Sequence, residues 1–338
     1  MTHNDLEFGL IRVVRLVVMM EFFQEIKDEL EIVEQELQAV VQAPDLLMTQ
    51  TSAHLLKAGG KRLRPAFSLL AGKCADFALE KVLPLAVALE LIHMATLVHD
   101  DVVDCALTRR GTHTVKAIWG NKISVHTGDY LFAKSLILIS QYEDLLVSRV
   151  LADTSMRMCE GEICQIFTPF NIRQTTKDYF YTIYRKTALL IAASCQLGAY
   201  VCGAPKNIYE SLSRYGRNIG MAFQITDDVL DMVADEELLG KPVGGDLRQG
   251  VITLPVIYAL KHSPVREKLK EMVTRRDKDD YEVAEVIRLV QKCGGIDFSC
   301  QVAQEYVARA RRELSALPDR AAKKVLVAVA DFVGERKF

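Results

Sequence analysis

The chain has 338 residues, half of them hydrophobic, which is enough to bury a large core in one big domain or two ordinary ones. Its formal net charge of −2 gives no long-range attraction for nucleic acid or anionic lipid, so anion binding has to come from local clusters of Lys and Arg. The eight cysteines form no CxxC pair and show no zinc-type spacing with His, which is typical of reduced thiols in a cytoplasmic protein.

The start of the chain predicts an extension followed by a helix. Residues 1–20 combine Arg12 and Arg15 with an apolar run, but acidic residues flank that run and no small-residue cleavage site follows it. We therefore interpret these residues as an N-terminal extension and not as a secretion signal. From residue 21 to about residue 42, apolar residues recur at helical spacing among many Glu.

Helical patterns follow one another from there to the C-terminus. No linker, convincing β-hairpin or βαβ unit interrupts them, so we assign residues 21–338 to one all-helical domain. The uncharged stretch 187–205 is borderline in length for a membrane span and rich in small residues, and we interpret it as a buried helix. The other predicted helices cover residues 51–56, 66–76, 82–104, 125–146, 148–167, 176–201, 208–233 and 254–261.

Two DDxxD sequences carry the clearest chemical signal, one from Asp100 to Asp104 and the other from Asp227 to Asp231. On a helix each residue advances about 100°, so Asp100 and Asp104 lie on one face while Asp101 turns away. Two carboxylates one turn apart can chelate Mg²⁺, which commonly completes its coordination with water and substrate phosphates. A solvated helix face is the alternative for one copy alone, but both copies belong to apolar helices, where unpaired carboxylates are costly. The two motifs therefore predict a magnesium-dependent diphosphate site.

Two residues extend the helix face of Asp100 towards the N-terminus. Thr96 precedes Asp100 by four residues and His93 precedes it by seven, so all three share one face. A lone His in an apolar helix is more often an ordinary core residue, and only this alignment favours a role for His93 at a diphosphate. His99 lacks the alignment, so we assign it a structural role.

Basic residues suited to a second diphosphate form two short clusters. Lys61 and Arg64 belong to the turn that runs from residue 59 to residue 65, and Arg109 and Arg110 follow the first aspartate motif. Arginine binds phosphate oxygens bidentately. Each of the four taken singly is more often a surface charge, but the Gly-Gly pair that opens the turn lets the backbone approach a ligand closely.

With these features the sequence resembles the trans-isoprenyl diphosphate synthase (polyprenyl synthetase) family. The matching stretches are GGKRLRP (59–65), DDVVDCALTRRG (100–111), GEICQ (161–165), Lys186-Thr187, QITDDVLD (224–231) and GKPVGGDLRQG (240–250). The resemblance spans roughly residues 55–255 and implies an all-α bundle around a central cavity. It also implies a Mg²⁺-dependent prenyltransferase that condenses isopentenyl diphosphate 1′-4 onto an allylic diphosphate, farnesyl or geranylgeranyl diphosphate, and it suggests a homodimer.

The resemblance assigns the matching polar residues to four groups. The metal ligands are Asp100 and Asp104 for two Mg²⁺ ions and Asp227 for a third, with Asp101, Asp228 and Asp231 in support. The residues that bind the allylic diphosphate are Arg109, Lys186 and Lys241. Those that bind isopentenyl diphosphate are Lys61, Arg64, His93 and Arg110. The groups that face the developing carbocation are Thr187, Gln165, Gln224 and the backbone carbonyl of Lys186.

Product length depends in this family on the residues just before the first motif, where bulky aromatics resemble a plug for short products. Here Ala95 and Thr96 are both small. The helix from about residue 84 to residue 104 is about 30 Å long, enough to line a tail of roughly six or seven isoprene units. Leu136, Leu138 or Ile139 could form the floor of such a tunnel, although residues of this kind are by default ordinary core residues.

These observations favour a medium- to long-chain product of roughly C30 to C40 for a quinone side chain. The stretch 90–104 looks most like heptaprenyl and octaprenyl diphosphate synthases, including catalytic subunits of bacterial two-component heptaprenyl enzymes that feed menaquinone synthesis. One departure is Val251, where relatives often carry Lys or Asn, because its side chain makes no hydrogen bond to phosphate or water.

Four other interpretations stay open on sequence alone. The chain could be inactive without a small partner protein, or could be a shorter-chain geranylgeranyl diphosphate synthase. A noncatalytic, lipid-binding helical subunit would give no reason for both carboxylate clusters and their basic partners. A terpene cyclase or head-to-head condensing enzyme would not need the basic turn at residues 59–65. We expect at most peripheral contact with a membrane.

Overall fold

The structure, a computed structural model, describes residues 23–233 and 243–335. Helices dominate these residues, which confirms the predicted all-α class. Short 3₁₀ turns at Gln24–Ile26 and Leu314–Ala316 and a π-helical segment at Tyr184–Ala188 accompany them. The α-helices are α1 (Lys27–Val40), α2 (Leu46–Lys57), α3 (Leu63–Lys73), α4 (Leu79–Val103), α5 (Val115–Ile139), α6 (Leu145–Ile166), α7 (Thr176–Ile183), α8 (Leu189–Val201), α9 (Lys206–Val233), α10 (Gly245–Gln249), α11 (Leu254–His262), α12 (Arg266–Thr274), α13 (Asp280–Lys292), α14 (Gly295–Glu313) and α15 (Ala321–Gly334).

Helix α4 lies at the centre of the bundle, as its apolar run predicts. It packs against α1, α3, α5 and α8, and most of its side chains are buried. It is also the described helix that is long and apolar enough to cross a membrane, but 67% of its most apolar window is buried inside the protein, as in a core helix. The stretch 187–205 contains α8, whose side chains are mostly buried, as expected.

Helix α5 begins ten residues earlier than predicted, because its cap lies outside the apolar pattern. Thr114 has extended backbone angles, and its hydroxyl accepts a hydrogen bond of 3.1 Å from the backbone N–H of Ala117. Gly120 then adopts a non-helical φ of 82° and kinks the helix. The predicted helix over 125–146 is therefore wrong at both ends, since α5 stops at Ile139.

A β-hairpin joins α4 to α5, where the sequence predicts none. Strand β1 (Thr108–Arg109) pairs antiparallel with β2 (Thr112–His113), and two residues connect them. Those residues, Arg110 and Gly111, have φ angles of 53° and 79°, the left-handed values that a two-residue hairpin loop requires. The pattern escapes sequence analysis because each strand is only two residues long. The hairpin carries Arg109 and Arg110, two of the predicted diphosphate-binding residues.

Two clusters of buried apolar side chains form the core, and α9 runs through both. Its first half contributes Leu212 and Tyr215 to the larger cluster, and its second half contributes Ile225 and Val229 to the smaller one. A single helix thus joins the two halves of the core. The single-domain assignment stays a prediction, and the extension at residues 1–20 lies outside the described residues.

Candidate active site

The first aspartate motif faces a lysine from the π-helical segment. The Nζ atom of Lys186 lies 3.8 Å from Asp100 Oδ2 and 2.8 Å from Glu162 Oε2 of α6. Burial, with the nearby carboxylates of Glu162 and Asp104, raises the pKa of Asp100 to about 6, although Lys186 opposes the shift. Burial lowers the pKa of Lys186, but Asp100 and Glu162 together raise it above its usual value. Three carboxylates around one lysine leave this cluster with an excess of negative charge.

This cluster fits a divalent cation. Asp104 is the exposed C-cap residue of α4, so the carboxylate pair one turn apart opens towards solvent. Over residues 23–233 and 243–335, no three His, Cys, Asp or Glu side chains come together to hold one ion. A pair of carboxylates can still serve Mg²⁺, which proteins often bind through one or two carboxylates while substrate phosphates and water complete the shell.

Asp101, the remaining carboxylate of the first motif, forms a different interaction, as expected from its position on another face of the helix. Asp101 is 2% exposed and its Oδ1 accepts a hydrogen bond of 2.7 Å from Arg109 Nε. Arg109 of the hairpin is therefore paired with Asp101 of α4. Its charge still acts on Asp100 and Asp104, because it lowers the pKa of both carboxyl groups against the larger effect of burial.

The second motif lies near the end of α9 in a hydrogen-bond network. Asp228 is 5% exposed, and its carboxylate accepts hydrogen bonds of 2.6 Å from the Tyr179 hydroxyl and 2.8 Å from Gln224 Nε2. Burial, followed by the charge of Asp246, raises the pKa of Asp228 well above its usual range. Asp231 is also buried, and its carboxylate accepts a hydrogen bond of 3.0 Å from the Asp246 backbone N–H. Asp228 and Asp231 thus anchor the end of α9, as supporting residues would.

Consecutive residues of the π-helical segment bring the two motifs together. Lys186 contacts Asp100, and the hydroxyl of Thr187 donates a hydrogen bond of 2.8 Å to Gln224 Oε1. Gln224 in turn lies one turn before Asp228 and bonds to it. Asp227, on the same turn of α9, is more accessible than its buried neighbours.

Arg62, an arginine without a predicted role, holds together the basic turn at residues 59–65. Its Nε donates a 2.7 Å hydrogen bond to Glu34 of α1, and its Nη1 donates one of 3.1 Å to the buried Glu90 of α4. It adopts a left-handed φ of 45°, and such backbone strain persists only where the surrounding structure fixes it. Arg62 is therefore already neutralised by two carboxylates.

The other guanidinium groups of this region surround His93. Burial and the charges of Arg64 and Arg110 lower the pKa of His93 well below its usual range, so its imidazole is neutral at neutral pH. Burial lowers the pKa of Arg64 to about 10, and its buried Nε has no hydrogen-bond partner among the described residues. Arg110 donates a hydrogen bond to the backbone carbonyl of Gly59. The half-buried Arg64, with its unused Nε donor, makes this cluster of cations suited to an anion, and we call the cluster of Arg64, Arg110 and His93 the electropositive pocket.

The residues predicted to set product length fall into two places. Ala95 is 2% exposed inside the core, and the hydroxyl of Thr96 donates a 2.8 Å hydrogen bond to the carbonyl of His93. Leu138 and Ile139 are buried on α5. Leu136 is 51% exposed, so the default expectation that it is a core residue is wrong, because it lies on the outer face of α5.

For three of the remaining predicted residues the structure gives mainly their exposure. Gln165 is half-buried on α6, one turn beyond Gly161, and Lys61 is exposed at the basic turn. Val251 is half-buried, and its backbone N–H donates a 2.8 Å hydrogen bond to the carbonyl of Asp246. Lys241 lies outside the described residues.

Sequence reasoning missed the counter-charges and partners of the site. Glu90 is three residues before His93, and a carboxylate inside an apolar run needs a cation, so its sequence position contained a signal. Glu162 belongs to the GEICQ stretch, but the family resemblance assigned it no role. Nothing in the local sequence pointed to Glu34 or Tyr179, which reach the site from α1 and α7.

Together the all-α fold, the Asp100–Asp104 pair and the arginines near His93 are features of the class of enzymes that act on diphosphates with the help of a divalent cation. Residues 45–290 match the polyprenyl synthetase family. The chain is 44% identical over 313 residues to "Heptaprenyl diphosphate synthase component 2" of Bacillus subtilis, which covers 93% of this chain and 89% of the relative. The protein of the same name from Geobacillus stearothermophilus is 45% identical, with 93% and 97% covered.

Solved structures agree with these relatives. The crystal structure of heptaprenyl diphosphate synthase from Staphylococcus aureus superposes with a TM-score of 0.87 at 38% identity, over 93% of this chain and 99% of that chain. The chain therefore belongs to the polyprenyl synthetase family, and it is a trans-prenyltransferase. The family uses Mg²⁺, whereas the number of ions and their ligands stay predictions.

Proposed function

We propose that this chain is a trans-polyprenyl diphosphate synthase that adds isopentenyl diphosphate successively to farnesyl or geranylgeranyl diphosphate and makes a product of roughly C30 to C40. Ala95, a small residue buried in the core directly before the first aspartate motif, carries the product-length part of the proposal. The names of two relatives, both heptaprenyl diphosphate synthase component 2, support a length in this range. A quinone side chain is the use we infer for such a product.

The residues of the site divide the work between two diphosphates. Asp100, Asp104 and Asp227 would hold Mg²⁺, which when bound stabilises the negative charge of the leaving diphosphate. Lys186 then donates hydrogen bonds to the allylic diphosphate, while the hydroxyl of Thr187 offers an oxygen dipole to the allylic cation that forms as the C–O bond breaks.

The electropositive pocket orients the second substrate. Arg64, Arg110 and the neutral His93 bind the diphosphate of isopentenyl diphosphate, so that its double bond lies near the allylic cation. The double bond attacks the cation, and the departing diphosphate accepts the proton that is lost. The product is again an allylic diphosphate, which allows the next cycle in the same site.

The direct test is incubation of the purified chain with Mg²⁺, isopentenyl diphosphate and farnesyl diphosphate, followed by chromatographic analysis of product length. We expect products of roughly C30 to C40 and no turnover after chelation of the metal. Products that stop at C20 would favour the geranylgeranyl alternative. Absence of any metal-dependent turnover, even after addition of cell extract from the source organism, would instead favour the noncatalytic, lipid-binding alternative.

Replacing Ala95 with Phe is expected to shorten the product by several isoprene units. Ala95 is buried five residues before the motif, and we propose that the growing tail passes it, so a bulky ring there would block that path. The measurement is the product distribution of the variant with the same substrates. Ala308→Phe is a matched control, because Ala308 is exposed on α14, away from α4, α5 and α6, and the same ring there leaves the core unchanged. An Ala95→Phe enzyme with wild-type product length would refute the tunnel hypothesis.

A small partner protein is the main alternative to activity of the chain alone. Both Bacillus-type relatives are named as component 2 of a heptaprenyl diphosphate synthase, which supports a second component for this chain as well. The requirement for a second component would be contradicted if the purified chain is active by itself and cell extract from its source organism does not change the rate. Recovery of activity only in the presence of extract would support it.

We also propose a homodimer, formed through the exposed apolar side chains of α5 and α6. Val125, Leu136 and Ile137 on α5 are 40%, 51% and 61% exposed, and Met156 and Ile163 on α6 are both 55% exposed. Two consecutive helices with this many exposed large apolar side chains indicate an interaction surface. A dimer would bury them.

Replacing Leu136 with Glu is expected to convert the dimer largely to monomer. A charge introduced into an apolar interface is left without a partner and costs several kcal/mol of association free energy. Light scattering after size exclusion should fall from twice the 37.9 kDa chain mass towards that mass. Tyr281→Glu is the control, because Tyr281 is 79% exposed on α13, which packs against α11, α12 and α14. A dimer that survives Leu136→Glu would place the interface elsewhere.

We infer a cytoplasmic enzyme with at most peripheral membrane contact. The long apolar helix α4 is committed to the core and not to lipid. Supporting this, the exposed and half-buried cysteines, such as Cys105 and Cys164, are free thiols, as expected in a reducing compartment.

A further inference from the structure

The π-helical segment Tyr184–Ala188 is the element that connects the two aspartate motifs. A π-helical turn inserts an extra residue into a helix; such turns are rare and are frequently found at functional sites. It shifts the faces of Lys186 and Thr187 relative to a regular helix, so that one contacts α4 and the other α9. An unfavourable backbone of this kind needs neighbouring elements that hold it in place.

On the α6 side, three consecutive residues hold the segment. A carboxylate oxygen of Glu160 accepts a hydrogen bond from Arg185 Nη1, and Glu162 Oε2 lies 2.8 Å from Lys186 Nζ. Gly161 between them allows the close approach, since a Cβ atom there would lie 2.7 Å from Arg185 Cβ. Two neighbouring carboxylates thus pair with two neighbouring cations across a backbone contact.

On the opposite side, α9 holds the same segment. A Cβ atom at Gly220 would lie 2.5 Å from Ala188 Cα, so the two backbones touch. The hydroxyl of Thr187 donates its 2.8 Å hydrogen bond to Gln224 on the next turn of α9. The π-helical segment is therefore held between α6 and α9. The side chains of Lys186 and Thr187 cannot move independently of these helices.

Glu160 and Glu162 of α6 contact different side chains. Glu160 is 47% exposed and holds Arg185, whose guanidinium also lies over the Tyr181 ring at 4.2 Å. Glu162 is 20% exposed and contacts Lys186, the side chain that we place on the allylic diphosphate. A carboxylate beside an anion site weakens anion binding by repulsion, so its presence there needs a compensating benefit. A Lys186 side chain that is already held in place supplies this benefit, because a freely rotating lysine loses about 2 kcal/mol of rotamer entropy when it binds a ligand.

We propose that Glu162 is a positioning residue that holds Lys186 between the two aspartate motifs, and that Glu160, Gly161 and Glu162 together clamp the π-helical segment against α6. This inference rests on the proposed prenyltransferase site, because it takes the allylic diphosphate as the ligand of Lys186. Glu162 itself contacts no substrate in this scheme. Its effect on catalysis passes through Lys186.

Glu162→Ala is expected to raise the KM for the allylic diphosphate about tenfold and lower kcat by a similar factor, while the KM for isopentenyl diphosphate stays within about twofold. Glu162→Gln retains an oxygen that accepts a hydrogen bond from Lys186, so it should recover to within about threefold of the wild-type values. Asp153→Asn on the same helix is the control, because Asp153 pairs with Arg157 and not with the π-helical segment. All three variants are assayed as full-length protein.

Two kinetic outcomes would overturn the proposal. One is an equal change of both KM values, or no change, in Glu162→Ala. The other is a Glu162→Gln variant as impaired as Glu162→Ala, which would mean that charge and not position is needed.

Backbone hydrogen exchange tests the clamp without reference to activity. Amides of residues 184–188 should exchange at least about tenfold faster in Glu162→Ala than in the wild type, whereas amides of α4 should not change. Unchanged exchange at 184–188 would contradict the clamp even if activity falls. Failure of the wild-type chain to turn over substrate, with and without cell extract from the source organism, would sink the proposed function, but the exchange result would still decide whether Glu162 orders the segment.

Discussion

Replacing Asp100 with Asn is expected to lower kcat about a thousandfold, equivalent to roughly 4 kcal/mol of transition-state stabilisation. An amide is a far weaker ligand for Mg²⁺ than a carboxylate, and the metal is what stabilises the departing diphosphate. The measurement is steady-state kcat with saturating Mg²⁺, isopentenyl diphosphate and farnesyl diphosphate. A variant that keeps more than about a tenth of the wild-type kcat would show that Asp100 holds no essential metal.

The same substitution should make the metal-free protein more stable. Burial raises the pKa of Asp100 to about 6, so at pH 8 the ionised carboxylate destabilises the folded state. Asn removes that charge, and the free energy of unfolding in urea should rise by about 1 to 3 kcal/mol. Asp153→Asn is again the control, because that carboxylate is 45% exposed and its change should alter neither kcat nor stability appreciably. A variant with lower kcat and a higher free energy of unfolding would show that Asp100 destabilises the metal-free fold but is needed for activity.

Replacing Arg62 with Met is expected to lower the free energy of unfolding by about 3 to 5 kcal/mol. Arg62 is paired with Glu90, which is 2% exposed and has one oxygen that already lacks a hydrogen-bond partner within the described residues. Loss of the guanidinium leaves the buried carboxylate without its hydrogen-bonded cation, and only the more distant charges of Arg64 and Arg110 still act on it. Glu34 is 35% exposed, so water can replace its lost partner at smaller cost.

A second substitution separates this effect from lost packing. Arg62→Met combined with Glu90→Gln removes both charges, and the double variant should regain at least about half of the lost stability. Arg288→Met is the surface control, since Arg288 is 53% exposed in its pair with Glu285 and its loss should cost under about 1 kcal/mol. If the double variant is as unstable as Arg62→Met, then packing of the Arg62 side chain, and not charge, stabilises the turn.

Most of the helical pattern could be predicted because helix formation leaves a local periodicity in the sequence. The apolar run around Ala95 predicted a buried central helix, and α4 is that helix. The misjudged boundaries of α5 and the missed hairpin share a cause, since a Thr cap and a two-residue loop are short signals that apolar periodicity does not register.

The sequence by itself determined the class of chemistry, because two carboxylates at DDxxD spacing can present a pair of ligands one helical turn apart whatever the rest of the chain does. It placed Asp101 away from Asp100 for the same reason, and the pairing of Asp101 with Arg109 agrees. Only the tertiary structure decided which charges meet. Lys186 lies between Asp100 and Glu162, and Arg62 lies between Glu34 and Glu90, because helices far apart in sequence pack within a few ångströms. Such pairings depend on distances across the bundle, which no local periodicity encodes.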